Sequence, residues 1–231
     1  MTEKFKNSTG FQIIKKWMDE KDREPFGFQS ETWYKFSQNY SGMVIAPTGF
    51  GKTFSVFLAV IIDYMNHPEN YKPGMKLLWI TPLRALAKDI AKAMTEALEE
   101  IGLDWEVSVR NGDTPTAVRA KQTRKMPDIL IITPESLHLL LAQKQHQKFF
   151  NNLHCIVVDE WHELLSSKRG VMTELAVSRI FSYQEKLKIW GITATIGNLD
   201  QALQVLIPYP IKKTKIVAKE KKKIEIQSVF P

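Results

Sequence analysis

Ala46-Pro47-Thr48-Gly49-Phe50-Gly51-Lys52-Thr53 stands between the apolar run Met43–Ala46 and a helical pattern over Thr53–Met65. A glycine-bearing loop that leaves a strand and opens a helix is suited to holding phosphate. Gly49 and Gly51 let backbone N–H groups turn inward, and the helix adds the positive end of its dipole. The strict phosphate-loop pattern has glycine where this chain has Ala46, but its last three positions, Gly-Lys-Thr, are intact. Lys52 is placed to neutralise the β- and γ-phosphates of a nucleotide, and the Thr53 hydroxyl to hold Mg²⁺. Thr48, Gly49, Phe50 and Gly51 complete the loop.

Outward from this loop, short apolar runs alternate with helical patterns. The other runs are Leu77–Thr81, Glu106–Val109, Ile129–Thr133, Cys155–Val158 and Lys188–Thr193. They do not alternate with polar residues, which is how strands buried on both faces read. Helical patterns cover Arg84–Ile101, Ser136–Leu141 and Gly170–Phe181. The alternation predicts an α/β domain of three layers, with a mostly parallel central sheet. Ligands of such sheets bind at the carboxyl ends of the strands. Each run here ends in unusual polar residues: APTGFGKT, TPLRAL, RNGDT, TPESL, DEWHEL and TATIGN.

One of these endings is acidic. Asp159-Glu160-Trp161-His162 follows Cys155–Val158, and adjacent carboxylates at a strand end are costly without a cation. Mg²⁺ beside a phosphate loop supplies one. Asp159 is then a metal-holding residue, and Glu160 orients and deprotonates an attacking water, with Lys52 the third catalytic candidate. His162 is open between a surface role and a functional one.

Bulk properties add exclusions. The chain has 231 residues, 44% hydrophobic and 25% charged, an ordinary globular composition. The longest apolar run, Phe54–Ile62, is interrupted by Ser55 and is far short of the roughly 20 residues that cross a bilayer. The single cysteine, Cys155, forms no internal disulfide, and a reducing cytoplasm fits this composition. The net charge is +7, but residues 212–223 alone contribute +6 through seven lysines and one glutamate. Nucleic-acid binding therefore has to be argued from motifs rather than from charge.

APTGFGKT, TPLRALAKD, TPESLHLLL, VVDEWHELLSSKRG and GITATIGN, in this order, resemble superfamily 2 DExH helicases. The stretch from VVDEWHELL to WGITATIGNL is similar to the large helicase-related (Lhr) family, and within it to the ligase-associated DEXH-box helicases. The resemblance runs from about Trp17 to Ile207. It implies a RecA-like phosphate-loop fold, ATP and Mg²⁺ as cofactors, and ATP-driven 3′-to-5′ movement on single-stranded DNA, with RNA open, in DNA repair. It implies that Gln29, in Pro25-Phe26-Gly27-Phe28-Gln29, reads the adenine edge. Phe26 and Phe28 are each open between stacking on the base and packing in the core, and Phe28 joins the nucleotide set. Thr81, Pro82 and Arg84, then Gly112, Asp113 and Thr114, then Thr133, Pro134 and Glu135, correspond to the family's strand-contacting loops, with threonine hydroxyls on phosphates. Thr193 and Thr195 stand where the family couples nucleotide to nucleic acid, with His162. Phe50 replaces a usually small residue.

The family's proteins are longer. The resemblance implies a first motor domain over residues 1–211, with 1–40 as its adenine-recognition lead-in. A basic linker at 212–231 would lead toward a second RecA-like domain; Ile224, Ile226 and Val229 have the spacing of a strand there. An ATP-dependent DNA ligase and a nuclease are the partners it implies, and a membrane is not. A single motor domain is expected to bind nucleotide and to hydrolyse it slowly. The competing reading from another class is a non-catalytic scaffold that binds nucleotide or a partner; retention of Lys52 and Glu160 argues against it.

Overall fold

The computed structural model describes residues 1–165, 167–184, 186–194, 197–207 and 211–219. Seven strands, β1 (Ser41–Ile45), β2 (Leu77–Ile80), β3 (Val107–Arg110), β4 (Ile129–Ile132), β5 (Cys155–Val158), β6 (Lys188–Thr193) and β7 (Lys213–Val217), form one sheet. Their spatial order is β3-β4-β2-β5-β6-β1-β7, and every pairing is parallel. Six of these strands answer to the six apolar runs. β1, β2, β4 and β5 are buried at every residue, whereas the edge strands β3 and β7 are only partly covered.

Ten helices lie among the described residues: α1 (Glu3–Lys6), α2 (Thr9–Asp19), α3 (Gly27–Ser37), α4 (Lys52–Asn66), α5 (Arg84–Ile101), α6 (Thr116–Arg124), α7 (Pro134–Leu141), α8 (Trp161–Leu164), α9 (Lys168–Phe181) and α10 (Leu199–Leu206). They divide the sheet's side chains into two cores, as the period-2 geometry of strands requires. Val44, Leu77, Trp79, Ile131 and Val157 pack toward α2–α5. Their strand neighbours Ile45, Leu78, Ile80, Ile132 and Val158 pack toward α7, α9 and α10. The three-layer expectation is met.

Residues 213–217, read from sequence as the start of a basic linker, instead pair with β1 in register from Ser41↔Lys213 to Ile45↔Val217. Their alternation explains it. Ile216 turns into the core at 1% exposure, while Lys215 faces solvent and meets Asp200 at 2.7 Å. The strand spacing noted at Ile224, Ile226 and Val229 lies outside the described residues. No helix among the described residues is long and apolar enough to cross a membrane.

Candidate functional site

The carboxyl ends of the strands share one edge, and the sheet order divides it in two. The ends of β5, β6 and β1 gather the acidic box, Thr193 and the phosphate loop. The ends of β3, β4 and β2 gather the loops expected to contact nucleic acid.

In the first half, Gly49 and Gly51 have φ of 90° and 70°, the left-handed region that glycine enters without strain. Gly51 caps α4, so Lys52 is the first residue of a 15-residue helix, at its dipole-positive end. Lys52 is 7% exposed, and its Nζ makes no hydrogen bond among the described residues. It lies 3.6 Å from Glu160 Oε1. Thr53 follows, half-buried, and Thr48 is exposed on the loop.

Asp159 is 4% exposed. It accepts the Glu160 N–H at 2.9 Å and the Trp79 indole N–H at 3.3 Å. Burial, with the neighbouring Glu160 charge second, pushes its carboxyl up to about 7. Glu160 has φ 46°, a left-handed backbone that is uncommon for this residue type and typical of sites where geometry is imposed. Its Oε2 is buried without a hydrogen bond among the described residues. His162 Nδ1 lies 3.4 Å from that oxygen and 3.1 Å from Thr193 Oγ1, so it bridges the acidic box to the end of β6. Of the three coupling residues, His162 and Thr193 thus meet; Thr195 lies outside the described residues.

The unpartnered Lys52 Nζ and Glu160 Oε2 suit a missing ligand that is both anionic and cation-bearing. A nucleotide polyphosphate with Mg²⁺ fits that donor set. Mg²⁺ is commonly held by one or two protein groups plus phosphates and water, and Thr53 and Asp159 are the two candidates here.

Beside the loop is a cavity of about 470 Å³ lined by Trp17, Phe26, Gln29, Phe50, Gly51 and Phe54. Gln29 is 4% exposed. Its Oε1 accepts the Phe26 N–H at 2.9 Å, and its Nε2 donates to the Gly51 carbonyl at 3.0 Å. Each amide atom retains one further hydrogen-bonding position. The placement of Phe28 in the nucleotide set is corrected: it is 3% exposed and packs in the core, because its place in the second position of α3 points inward. The exposed aromatic is Phe26, at 38%, with its ring stacked 5.8 Å from Phe28 and 5.6 Å from Phe50. Phe50 is half-buried and packs partly against the core. Trp17 and Phe54 were not anticipated; in sequence their helical spacing reads as core. A larger cleft of about 800 Å³ opens at the opposite end of the sheet, but its Lys188 already pairs with Asp63 at 3.2 Å.

In the second half of the edge, the threonine hydroxyls are not where they were expected. Thr81 is wholly buried and Thr133 is 2% exposed. Both extend the ladder past the strand end, through Thr81 N–H to Ile132 and Thr133 N–H to Arg110, so their side chains stay within the layers. Thr133 donates to Ser136 at 3.2 Å, and Thr81 Oγ1 has no partner among the described residues. Pro82 and Pro134 are buried as well. Arg84, Gly112, Asp113 and Glu135 are exposed, and Thr114 is half-buried. Arg84 meets Asp113 at 2.9 Å. The 111–114 loop is held from within: Thr114 Oγ1 accepts the Asn111 N–H, and Arg119 donates to the carbonyls of Asn111, Gly112 and Thr114.

The chain is similar to known helicases. A family profile described as DEAD/DEAH box helicase matches residues 26–202. The chain is 31% identical over 212 residues to the ATP-dependent helicase Lhr-Core of Methanothermobacter thermautotrophicus, covering 85% of this chain and 25% of that protein. It is 32% identical to the Lhr-Core helicase of Saccharolobus solfataricus, covering 84% and 23%. The structure of the Mycobacterium smegmatis helicase Lhr bound to ssDNA and AMP-PNP matches with a TM-score of 0.70 at 28% identity, over 89% of this chain and 27% of that one. The chain therefore spans about a quarter of the length of these relatives. With a profile match over most of its length, and the phosphate loop and acidic box on one edge of an all-parallel sheet, the chain belongs to the DEAD/DEAH box helicase family and carries that family's ATP-dependent motor domain.

Proposed function

We propose that this chain binds Mg²⁺·ATP between the ends of β1 and β5 and is the first motor domain of a helicase that moves on single-stranded DNA. The observation that carries the reading is the pair of buried Lys52, at the head of a glycine-capped helix, and half-buried Glu160, each with an atom lacking a hydrogen bond among the described residues. Lys52 and the loop N–H groups would bind the phosphates, while Phe26 and Gln29 would hold the base. Thr53 and Asp159 would hold Mg²⁺, which when bound neutralises the phosphates. Glu160 would orient the attacking water and accept its proton, and His162 would relay the state of Glu160 to Thr193.

The strand-binding surface would be the exposed part of the second half-edge: Arg84, the 112–114 loop and the start of α7. Backbone contacts of this kind grip without reading sequence. That the structure of one relative, the Mycobacterium smegmatis helicase Lhr, is bound to ssDNA supports the choice of polymer. The resemblance to ligase-associated helicases supports a 3′-to-5′ direction, a place in cytoplasmic DNA repair, and a ligase and a nuclease as partners. Titration calorimetry with ATP, with Mg²⁺ and then with EDTA, tests the core of the reading. Saturable, Mg²⁺-dependent heat is expected, and no binding at millimolar ATP overturns it.

A further inference from the structure

Arg169 reaches from the first turn of α9 to both of the loops that follow β2 and β4. Its Nε donates to Glu135 Oε1 at 2.6 Å, and its Nη2 to Glu135 Oε2 at 3.3 Å and to the Pro82 carbonyl at 2.8 Å. One planar guanidinium thus holds a carboxylate with two prongs and a carbonyl with one of them, a geometry that lysine cannot copy.

The base of this reach is fixed to the acidic box. Arg169 follows Glu160 by nine residues. Between them, α8 is anchored by the wholly buried Trp161, whose indole donates to the Ala202 carbonyl at 3.1 Å. Ser167 accepts the Gly170 N–H at 3.1 Å and donates to the Leu164 carbonyl at 2.6 Å. A Cβ on Gly170 would stand 2.1 Å from that same carbonyl, so α8 and α9 meet backbone to backbone. A second tie, His138 Nε2 at 2.7 Å from the Met172 carbonyl, joins α7 to α9.

We propose that Arg169 is a positioning residue, locking the loops after β2 and β4 to each other and to the segment that carries Asp159 and Glu160. The proposal rests on the reading of those loops as the nucleic-acid surface. It assigns the arginine a mechanical role: the two loops move as one piece, and that piece is anchored on the segment that follows the acidic box.

The test uses the 231-residue chain with Arg169→Gln, Arg169→Lys, Glu135→Gln and the double variant Arg169→Gln/Glu135→Gln. Three readouts are nucleotide affinity by calorimetry, amide hydrogen exchange over residues 83–87 and 135–138, and anisotropy with single-stranded oligonucleotides at several salt concentrations. Arg169→Gln should leave nucleotide affinity unchanged, speed exchange in both loops, and weaken DNA binding roughly tenfold, the size of one coupled pair. Arg169→Lys should not restore either loop, and the double variant should be no worse than the single ones. The slope of affinity against salt should stay as in wild type. A slope reduced by about one would make Arg169 a direct phosphate contact and overturn the positioning role. If the wild-type chain binds no DNA, the nucleic-acid reading falls, and exchange alone decides the clamp: unchanged exchange in both loops overturns it.

Discussion

The ammonium of Lys52, at the head of the helix after β1, lies 3.6 Å from the carboxylate of Glu160, at the end of β5, with β6 between the two strands. Lys52 is buried and Glu160 half-buried, and Lys52 Nζ and Glu160 Oε2 make no hydrogen bond among the described residues. Removing one partner of such a pair leaves the other as an uncompensated buried charge. Lys52→Ala should therefore cut ATP affinity by at least about tenfold, the scale of one lost charge-assisted contact. Calorimetry on the chain checks it; equal affinity in both proteins would remove the phosphate loop from the assignment.

Glu160→Gln should act differently. The amide keeps the shape and loses the proton acceptor, so binding persists. In a form of the protein that turns over, phosphate release should drop on the order of 10²-fold or more, the scale of a lost general base. Unchanged turnover would exclude Glu160 from the chemistry.

Phe26 and Phe28 separate by burial. Phe26→Ala should weaken ATP while leaving inorganic triphosphate binding and the melting temperature nearly unchanged. Phe28→Ala should cost about 3–5 kcal/mol of stability, as large-to-small changes in a packed core do. Thermal melts and triphosphate titrations distinguish the two. A strong melting loss in Phe26→Ala would return that ring to the core.

His154 makes the fold acid-sensitive. Burial lowers its pKa to about 4, with the Lys188 charge next and Lys76 adding to it against Asp63; its ring stacks on Tyr71 at 3.8 Å. The folded chain thus stays neutral there while the unfolded chain takes up a proton near pH 6.5. The stability this group contributes is complete above about pH 6.5 and is lost as pH drops toward 4. After discounting for the ring's partial exposure, the loss is on the order of 1–2 kcal/mol. The buried Asp159 carboxyl, raised to about 7, changes stability with the opposite sign over this range, so the reading is a comparison: the shift in urea midpoint from pH 7 to pH 5 should be less unfavourable in His154→Asn than in the unsubstituted chain.

Alone, the chain should be a slow ATPase. Arg84, Arg110, Arg119 and Arg169 are each engaged with groups around the loops after β2, β3 and β4, away from the phosphate loop, and Arg23 lines the cavity proposed to hold the base. A transition-state arginine contributes ~10³–10⁵ in rate, and the family reading places it on a second motor domain. Phosphate release, with and without single-stranded DNA, should be compared with a longer protein that includes that domain. Equal DNA-stimulated rates would show that this domain suffices.

The tail and the loops can be told apart as DNA contacts by cutting after Lys219, which spares the edge strand β7. Binding that survives the cut, and whose salt slope falls by about one in Arg84→Ala, belongs to the loops. Binding abolished by the cut belongs to the lysines.

Much of this was legible in sequence. Continuous apolar runs give the interior strands, since no polar alternation is tolerated between two helical layers, and the Gly-Lys-Thr and Asp-Glu endings then fall on one edge. Direction was harder to read. Motif spacing places Thr81, Thr133 and Phe28 at the site, but their burial depends on how far each ladder or helix turn extends, which spacing does not encode. Arg169 was unreadable for another reason: its partners, Pro82 and Glu135, are 87 and 34 residues away. The strand Lys213–Val217 was masked by its lysines, because an edge strand needs only one face apolar.

β1, which launches the phosphate loop, is bordered only by late-arriving neighbours: β6 on one side and β7 on the other. Val217 follows Ile45 by 172 residues. On a ribosome adding about 5–20 residues per second, β1 therefore waits on the order of 10–30 s with both ladder edges bare. The first strand to emerge is among the last to be seated, so nascent chains that stall between β5 and β6 would present Ser41–Ile45 as a sticky template, and chaperone capture should map to that segment.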